Sequence, residues 1–176
     1  MSKYIIDTNL IYLSKTPVAD IPKEMLECAR KCSIFLEGFL KEKDPKIVLD
    51  KNLLIYKEYR QAYESLKNSA PNVATIFCDW FFKYLQKIPQ NDFIFLKTDA
   101  SGNFVDYPSS QSFDKFDPSD RKFIALANAH HEHPPIVEAS DCKWWGIKDD
   151  LKAIGLEVKF IDEQYIEQKY NQKMKN

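Results

Sequence analysis

Lys3-Tyr4-Ile5-Ile6-Asp7-Thr8-Asn9 opens the readable part of the chain with a short, mostly apolar run, then an acid, then two small polar residues. Such a run reads as a strand buried on both faces, with the acid at its carboxyl end. Open α/β sheets bind ligands at that end of their strands, so its context places Asp7 where a site would form. The ordinary role for Asp7 is to cap the turn that begins at Thr8, since Asp accepts hydrogen bonds from free helical N–H groups. Spacing alone leaves both roles open.

Outward from this strand, residues alternate between helical and extended patterns. Pro22–Lys41 carries Met25, Cys28, Ala29, Cys32, Phe35, Leu36 and Phe39 at helical spacing, and Asp44-Pro45 breaks it. Lys46–Leu49 reads as a second short strand. A helix opening at Asp50 or at Lys51-Asn52 runs to about Leu66. Asn68–Asn72 is loop chemistry, with Asn72 capping a helix that reaches Gln86. Phe93–Leu96 fits either a strand or a loop segment packed on the core, and Thr98–Phe116 is polar and irregular. Pro118 to about His130 is the best-signalled helix, with Asp117 as cap, Pro118 first and Asp120 near third. Pro134-Pro135 stops it, Ile136-Val137 begins another strand, Lys148–Ile154 is helical up to Gly155, and Leu156–Ile161 is a last strand. Strands alternating with helices predict an α/β fold, a three-layer α/β/α sandwich with a mostly parallel central sheet. The expectation is one domain over residues 1–176, its core at about 3–161 and a polar, peripheral helix at 162–174.

Composition narrows the classes. A chain of 176 residues suffices for one full hydrophobic core, and 44% apolar residues with only four glycines argue against disorder. No stretch approaches the roughly 20 apolar residues that span a bilayer. The start, Met1–Asp7, lacks the apolar centre of a signal peptide, so the expected location is cytoplasmic. The four cysteines lack paired short spacing and read as free thiols, with Cys28 and Cys32 one helical turn apart. A formal net charge of −1 argues against a strongly basic nucleic-acid binder but not against a nuclease, since clustered acids depress the total.

Three more acids stand in contexts that match Asp7. Glu58 shares a helix face with Leu54, Ile55 and Ala62, where an unpaired charge is costly; its ordinary partner would be Arg60 or Lys122. Asp120 precedes Phe123, Ile124 and Ala127 at i+3, i+4 and i+7, above a buried stripe, although an acid in a first helical turn also answers the helix dipole. Asp141 ends the stretch Pro135–Ser140, where it could simply start a turn. Brought to one sheet edge, four carboxylates would suit a hard cation, Mg²⁺ or Mn²⁺.

The order and contexts resemble the PIN-domain ribonucleases: I-I-D-T-N, then the acid in Tyr56–Tyr59, then D-P-S-D-R-K-F-I-A-L-A, then S-D-C-K-W-W, spanning residues 4 to about 160. The resemblance implies a metal-dependent endoribonuclease acting on single-stranded RNA, with Asp7, Glu58, Asp120 and Asp141 as the catalytic and metal-binding acids. It also implies that Asn9 and Ser140 are polar neighbours that position a carboxylate or a water. Similar members often carry a second acid two residues after the one matching Asp141. Lys143 stands there, which puts the number of metals in question and places a cation where a phosphate could bind. Small members of the family resemble toxins held by a protein antitoxin, so an antitoxin and a second copy of the chain are the candidate protein partners. This chain is longer than the compact toxins.

Other readings compete. A PIN-like domain without catalysis, acting as a binding or scaffold module, is the alternative that Lys143 supports. Haloacid-dehalogenase-type phosphatases also place an Asp after the first strand, but Asn9 stands where they carry their second Asp. His130, His131 and His133 invite a transition-metal reading, yet no acid or Cys joins them at zinc-like spacing. Trp144-Trp145 suits packing better than base stacking. Lys57, Arg60 and Lys67 read mainly as a solvated helix face.

Overall fold

The computed structural model describes residues 3–42, 46–66 and 71–174. The expected breaker Asp44-Pro45, the loop residues Asn68–Ala70 and Lys67 lie outside them.

Strand β1 (Lys3–Ile6) is central. It pairs in parallel with β2 (Lys46–Ile47) on one side and with β5 (Ile136–Glu138) on the other, and β6 (Val158–Phe160) extends the sheet beyond β5. The stretch at 46–50 serves two neighbours. Its first half borders β1, and Val48 still donates to the Tyr4 carbonyl at 3.0 Å. Its second half, β3 (Leu49–Asp50), pairs in parallel with β4 (Phe93–Ile94). The chain thus steps outward from β1 to β4, then returns to β1's other side for β5 and β6. Where that order reverses, between β1 and β5, a crevice opens at the carboxyl ends of the strands. The buried residues Ile5, Ile6, Ile47, Val48, Leu49, Ile136 and Val137 are the near-continuous apolar runs of a sheet covered on both faces.

Helices α1 (Thr8–Lys15), α2 (Leu26–Lys41), α3 (Leu54–Glu64) and α4 (Val73–Tyr84) pack on one another. A short α5 (Gln111–Asp114), α7 (Lys143–Ala153) and α8 (Glu163–Met174) form a second group, and α6 (Arg121–Ala129) packs on β5. The molecule is therefore α/β with a parallel four-stranded central sheet, compatible with three layers. Among the described residues, no helix is long and apolar enough to cross a membrane.

Local chemistry sets the boundaries and corrects several expectations. Asn72 caps α4 by accepting the Thr75 N–H at 3.0 Å. Asp50 caps α3 from within β3, accepting from Leu54 at 2.7 Å and Ile55 at 3.0 Å, although the helix starts four residues later. The best-signalled helix starts at Arg121 and not at Pro118, because the Asp117 side chain accepts the Ser119 N–H at 3.0 Å and folds 117–120 into a turn. Helix α7 starts at Lys143, five residues before the expected Lys148, since Asp141 accepts the Lys143 N–H at 3.0 Å and Trp144, Ile147 and Leu151 make its buried stripe. Trp144 is fully buried and edges onto Phe116 and Phe123, as packing requires. All four cysteines are free and buried. Residues 98–116 are tied down internally. Tyr107 donates to the Phe113 carbonyl and Asn128 to the Asp106 carbonyl, both at 2.8 Å.

Candidate functional site

Strands β1 and β5 deliver two acids side by side. Their register, Ile5 beside Ile136 and Ile6 beside Val137, carries on to Asp7 beside Glu138, and Asp7 donates its N–H to the Val137 carbonyl at 2.9 Å. Asp7 is 4% exposed and Glu138 is fully enclosed. Their surroundings differ. Glu138 Oε1 accepts from the Ser140 and Asp141 N–H groups, each at 2.8 Å, and from the Asn9 amide at 3.3 Å. Asp7 caps α1 by accepting the Asn9 N–H at 2.8 Å. Burial, then the Glu138 charge and the hydrogen bond between the two carboxyls, raise the Asp7 pKa well above the ordinary value. Burial raises Glu138 too, but the Asp7 hydrogen bond and two backbone N–H groups draw it back. Of the two, Asp7 is the more strongly raised. Glu138 Oε2 is buried without a hydrogen-bond partner from the protein.

Glu138 is the residue that sequence reading misses. It lies within Pro135–Ser140 and reads there as one more strand position. The available signal was an acid closing a strand buried at every residue, where a charge needs partners.

Above this pair lies a cleft of about 370 Å³ whose walls include Asp7, Glu58, Asp120 and Asp141, all four of the expected acids, together with Asn9 and Lys143. Asp120 immediately precedes α6 and is half-buried. Burial first, then the Asp117 and Asp141 charges, raise its pKa against the pull of Lys122 and Lys143. Asp141 lies beyond the end of β5, with its Oδ1 on the Lys143 N–H. Glu58 is held over the cleft by α3, which is anchored where Tyr59 donates its hydroxyl to the Ile6 carbonyl at 2.5 Å. Its Oε2 accepts from Thr8 Oγ1 at 2.7 Å, and its Oε1 meets Lys122 Nζ at 2.6 Å. Lys122 is thus the partner of Glu58, while Arg60 faces Glu64 at 4.0 Å. The Lys122 ammonium also donates to the Ser119 carbonyl.

Asn9 bridges the two acids, donating its backbone N–H to Asp7 and its side-chain amide to Glu138. Ser140 acts through its backbone: its N–H holds Glu138, and its carbonyl accepts from Lys169 of α8 at 2.6 Å. Lys143 Nζ reaches Asp117 at 2.6 Å and lies 3.8 Å from Asp141. The ion pair with Lys143 is the largest cause holding Asp117 far below the usual carboxylate range. Asp117 therefore belongs to the cleft, beyond the capping role its sequence context suggests.

Among the described residues, no three carboxylate, imidazole or thiolate groups are arranged to share one metal ion. The histidines do not form such a site either. His130 is fully buried; its Nδ1 accepts the Glu132 N–H at 3.1 Å, which leaves Nε2 as the donor to Asp92 at 3.2 Å. Comparison with protein-family models, curated proteins and solved structures finds no match to this chain. The family resemblance thus rests on the chain's own motifs.

Proposed function

We propose that the acidic cleft is the active site of a PIN-like ribonuclease, which hydrolyses phosphodiester bonds of single-stranded RNA with Mg²⁺ or Mn²⁺. One observation carries this reading. Four acids widely separated in sequence line a single cleft over a buried carboxyl pair, one oxygen of which has no partner. Burial first, and the neighbouring acids after it, raise the pKa values of Asp7 and Asp120, and a bound cation would favour the ionised form of both.

The donor set suits a hard cation in its chemistry. An ion here would be held by Asp7 with Asp120 or Asp141 and completed by water and substrate phosphate, a mode common for Mg²⁺, which is often bound through only one or two carboxylates. When bound, it supplies an acidified water and polarisation of the scissile phosphate. The chain's own groups do the positioning. Asn9 and the Ser140 and Asp141 N–H groups fix Glu138, Glu138 keeps the Asp7 carboxyl in place, and Lys122 pins Glu58 against the Ser119 turn.

The test is cleavage of a fluorescent single-stranded RNA with Mn²⁺, comparing wild type with Asp120→Asn and Asp7→Asn. The reading requires metal-dependent cleavage that both variants lose; no cleavage, or cleavage indifferent to both substitutions, rejects it. A catalytically silent binding module is the second reading. It draws support from Lys122 on Glu58 and Lys143 on Asp117, which supply cations from within the chain. RNA binding without cleavage would favour it.

A further inference from the structure

Helix α8 reaches the turn that follows β5. Asp162 accepts the Tyr165 N–H at 3.4 Å in its first turn, and Ile166 is fully buried. Lys169 and Tyr170, three and four residues on, share the docked face with Ile166. Tyr170 lays its ring against Gly146 of α7, where a Cβ would come within 3.0 Å of it. This close approach holds α8 beside α7, and Lys169 Nζ donates to the Ser140 carbonyl at 2.6 Å. Among the described residues, no carboxylate lies within ion-pair distance of that ammonium. We propose that Lys169 is a positioning residue of the acidic cleft, acting on the Glu138–Asp7 pair through the peptide unit between Ser140 and Asp141. The proposal rests on the ribonuclease reading for the use of that pair.

The covalent geometry of the turn gives Lys169 its leverage. Glu138 Oε1 accepts two N–H groups, from Ser140 and Asp141, each at 2.8 Å. Each N–H belongs to a planar trans peptide unit, whose carbonyl points to the opposite side. The unit that bears the Ser140 N–H has its Ala139 carbonyl on the Cys28 thiol of α2, at 3.2 Å. The unit that bears the Asp141 N–H has its Ser140 carbonyl on Lys169. The two donors to Glu138 are thus braced from behind by two different helices. The brace from α8 is the stronger, because a thiol is a weak donor and a charged donor makes a hydrogen bond about twice as strong as a neutral one. A cation on the carbonyl also polarises the amide, so its N–H donates more strongly to Glu138. The same peptide unit leads directly into Asp141, a wall of the cleft that Lys169 itself does not line. One ammonium behind the turn therefore fixes both a donor to the buried pair and the approach to a cleft acid.

The experiment compares Lys169→Met, which keeps the apolar stem, with Lys169→Arg and with Ile166→Val, which loosens α8 without touching the ammonium. In the metal-free protein, NMR reads the two amides separately. In Lys169→Met the Asp141 amide proton should move upfield and exchange about threefold faster or more, while the Ser140 amide, braced by Cys28, holds its place. Lys169→Arg should restore the Asp141 signal, and Ile166→Val should leave both shifts where they are. By calorimetry, Lys169→Met should weaken Mn²⁺ binding by about tenfold, as expected when a group behind a metal's ligands is removed. An Asp141 amide unmoved in Lys169→Met overturns the proposal. So does a Ser140 amide that moves as far, which would mean a general loosening of the turn. Mn²⁺ affinity unchanged by the variant overturns it as well. If Lys169→Met fails to fold, Lys169→Gln removes the same charge and decides. A wild type that binds no Mn²⁺ and cleaves no RNA rejects the ribonuclease reading and leaves the two amides to decide the role of Lys169; cleavage with an unmoved Asp141 amide does the reverse.

Discussion

Asp7 and Glu138, 131 positions apart in the chain, end adjacent parallel strands and bring two buried carboxyl groups side by side. The pairing follows from register: two in-line neighbours, Ile5–Ile136 and Ile6–Val137, leave the next residues of β1 and β5 no other position. An acid pair of this kind costs stability when both members are ionised. The structure offsets this with two backbone N–H groups and the Asn9 amide on Glu138.

The first prediction follows from the raised Asp7 pKa. A carboxyl whose folded pKa exceeds its unfolded value adds stability below the unfolded value, near 3.8, and loses that contribution as pH rises through the folded value. At neutral pH the apo protein therefore carries a cost at Asp7. Asp7→Asn should raise the melting temperature of the metal-free protein at pH 7.5 by several degrees, at about 2–4 °C per kcal/mol for a chain of this size. It should do so less at pH 4. Mn²⁺ should raise the wild-type melting temperature and leave the variant unmoved, because an ion binding only the folded state stabilises it. Thermal unfolding across pH, with and without metal, checks all three statements.

Glu138 gives a second prediction with two arms. Glu138→Gln keeps an acceptor for the Ser140 and Asp141 N–H groups and removes the charge, so the Asp7 pKa should fall towards its ordinary value. Carbon-detected NMR titration of Asp7 reads this directly. Glu138→Ala leaves both N–H groups buried and unanswered, and should destabilise by about 2–4 kcal/mol in denaturant unfolding. If the alanine variant is as stable as the glutamine variant, the hydrogen-bond assignment at Glu138 is wrong.

Much of the sheet and three of the helix caps were legible because their causes are local. Asp7 closes an apolar run, Asn72 reaches a donor three residues on, and Asp50 sits just before its helix. All four expected acids line the cleft, because strand ends and helix starts gather at one edge of a parallel sheet. What escaped depends on distant partners. Glu138 carries one local signal, an acid closing an apolar strand, and its partner Asp7 is met only once β5 lies beside β1. Lys143 and Asp117 meet across 26 positions, and nothing near either one announces the other. The start of α7 was hidden for another reason: Trp144-Trp145-Gly146 breaks the apolar period that marks helices, and the Asp141 cap supplies the missing start.

A third prediction concerns the Glu58–Lys122 pair, whose lysine side chain is 7% exposed and whose glutamate is about a third exposed. Removing one member of a buried pair leaves an uncompensated charge. Glu58→Ala should cost about 1–3 kcal/mol, below the range for a fully buried pair because Glu58 reaches solvent. Adding Lys122→Met should restore part of the loss by removing the stranded ammonium. A double-mutant cycle in urea measures the coupling, and additive losses would show that the two side chains act independently.

A fourth prediction lies at the far end of the sheet. Burial is the largest cause lowering the His130 pKa, against the Asp92 hydrogen bond that raises it. A histidine kept neutral in the folded state gives stability that is fully present above its unfolded value, near 6.5, and is lost as pH falls below it. The wild type should lose stability from pH 7 to 5.5, and His130→Gln should flatten that part of the profile while lowering stability at pH 7. Parallel pH series of denaturant unfolding decide it. A wild-type slope unchanged in the variant would assign the acid loss to other groups.

Lys143 carries the last prediction. Its ammonium sits at 2.6 Å from Asp117 and 3.8 Å from Asp141, at the wall of the cleft and within one charge's reach of both acids. A bound cation and this ammonium repel each other, so metal binding and the Lys143 position should be linked. Lys143→Met removes the internal cation, and Asp117 should return towards the ordinary carboxylate range, since Lys143 is the largest cause of its depression. Mn²⁺ affinity should then rise, by about tenfold for each 1.4 kcal/mol of repulsion removed. Lys143→Asp should raise it further. RNA binding in EDTA moves the other way if the ammonium meets phosphate: Lys143→Met should weaken it, and the loss should shrink as salt is raised, because the contact releases counterions. The lysine stem is long enough to leave Asp117 for a phosphate, and the exposed side of the ion pair leaves it room to do so. Calorimetry of Mn²⁺ binding, together with RNA titrations across a salt series, reads both effects on the same two variants. If metal affinity and RNA affinity both ignore Lys143, its ion pair with Asp117 is a surface contact with no part in the site.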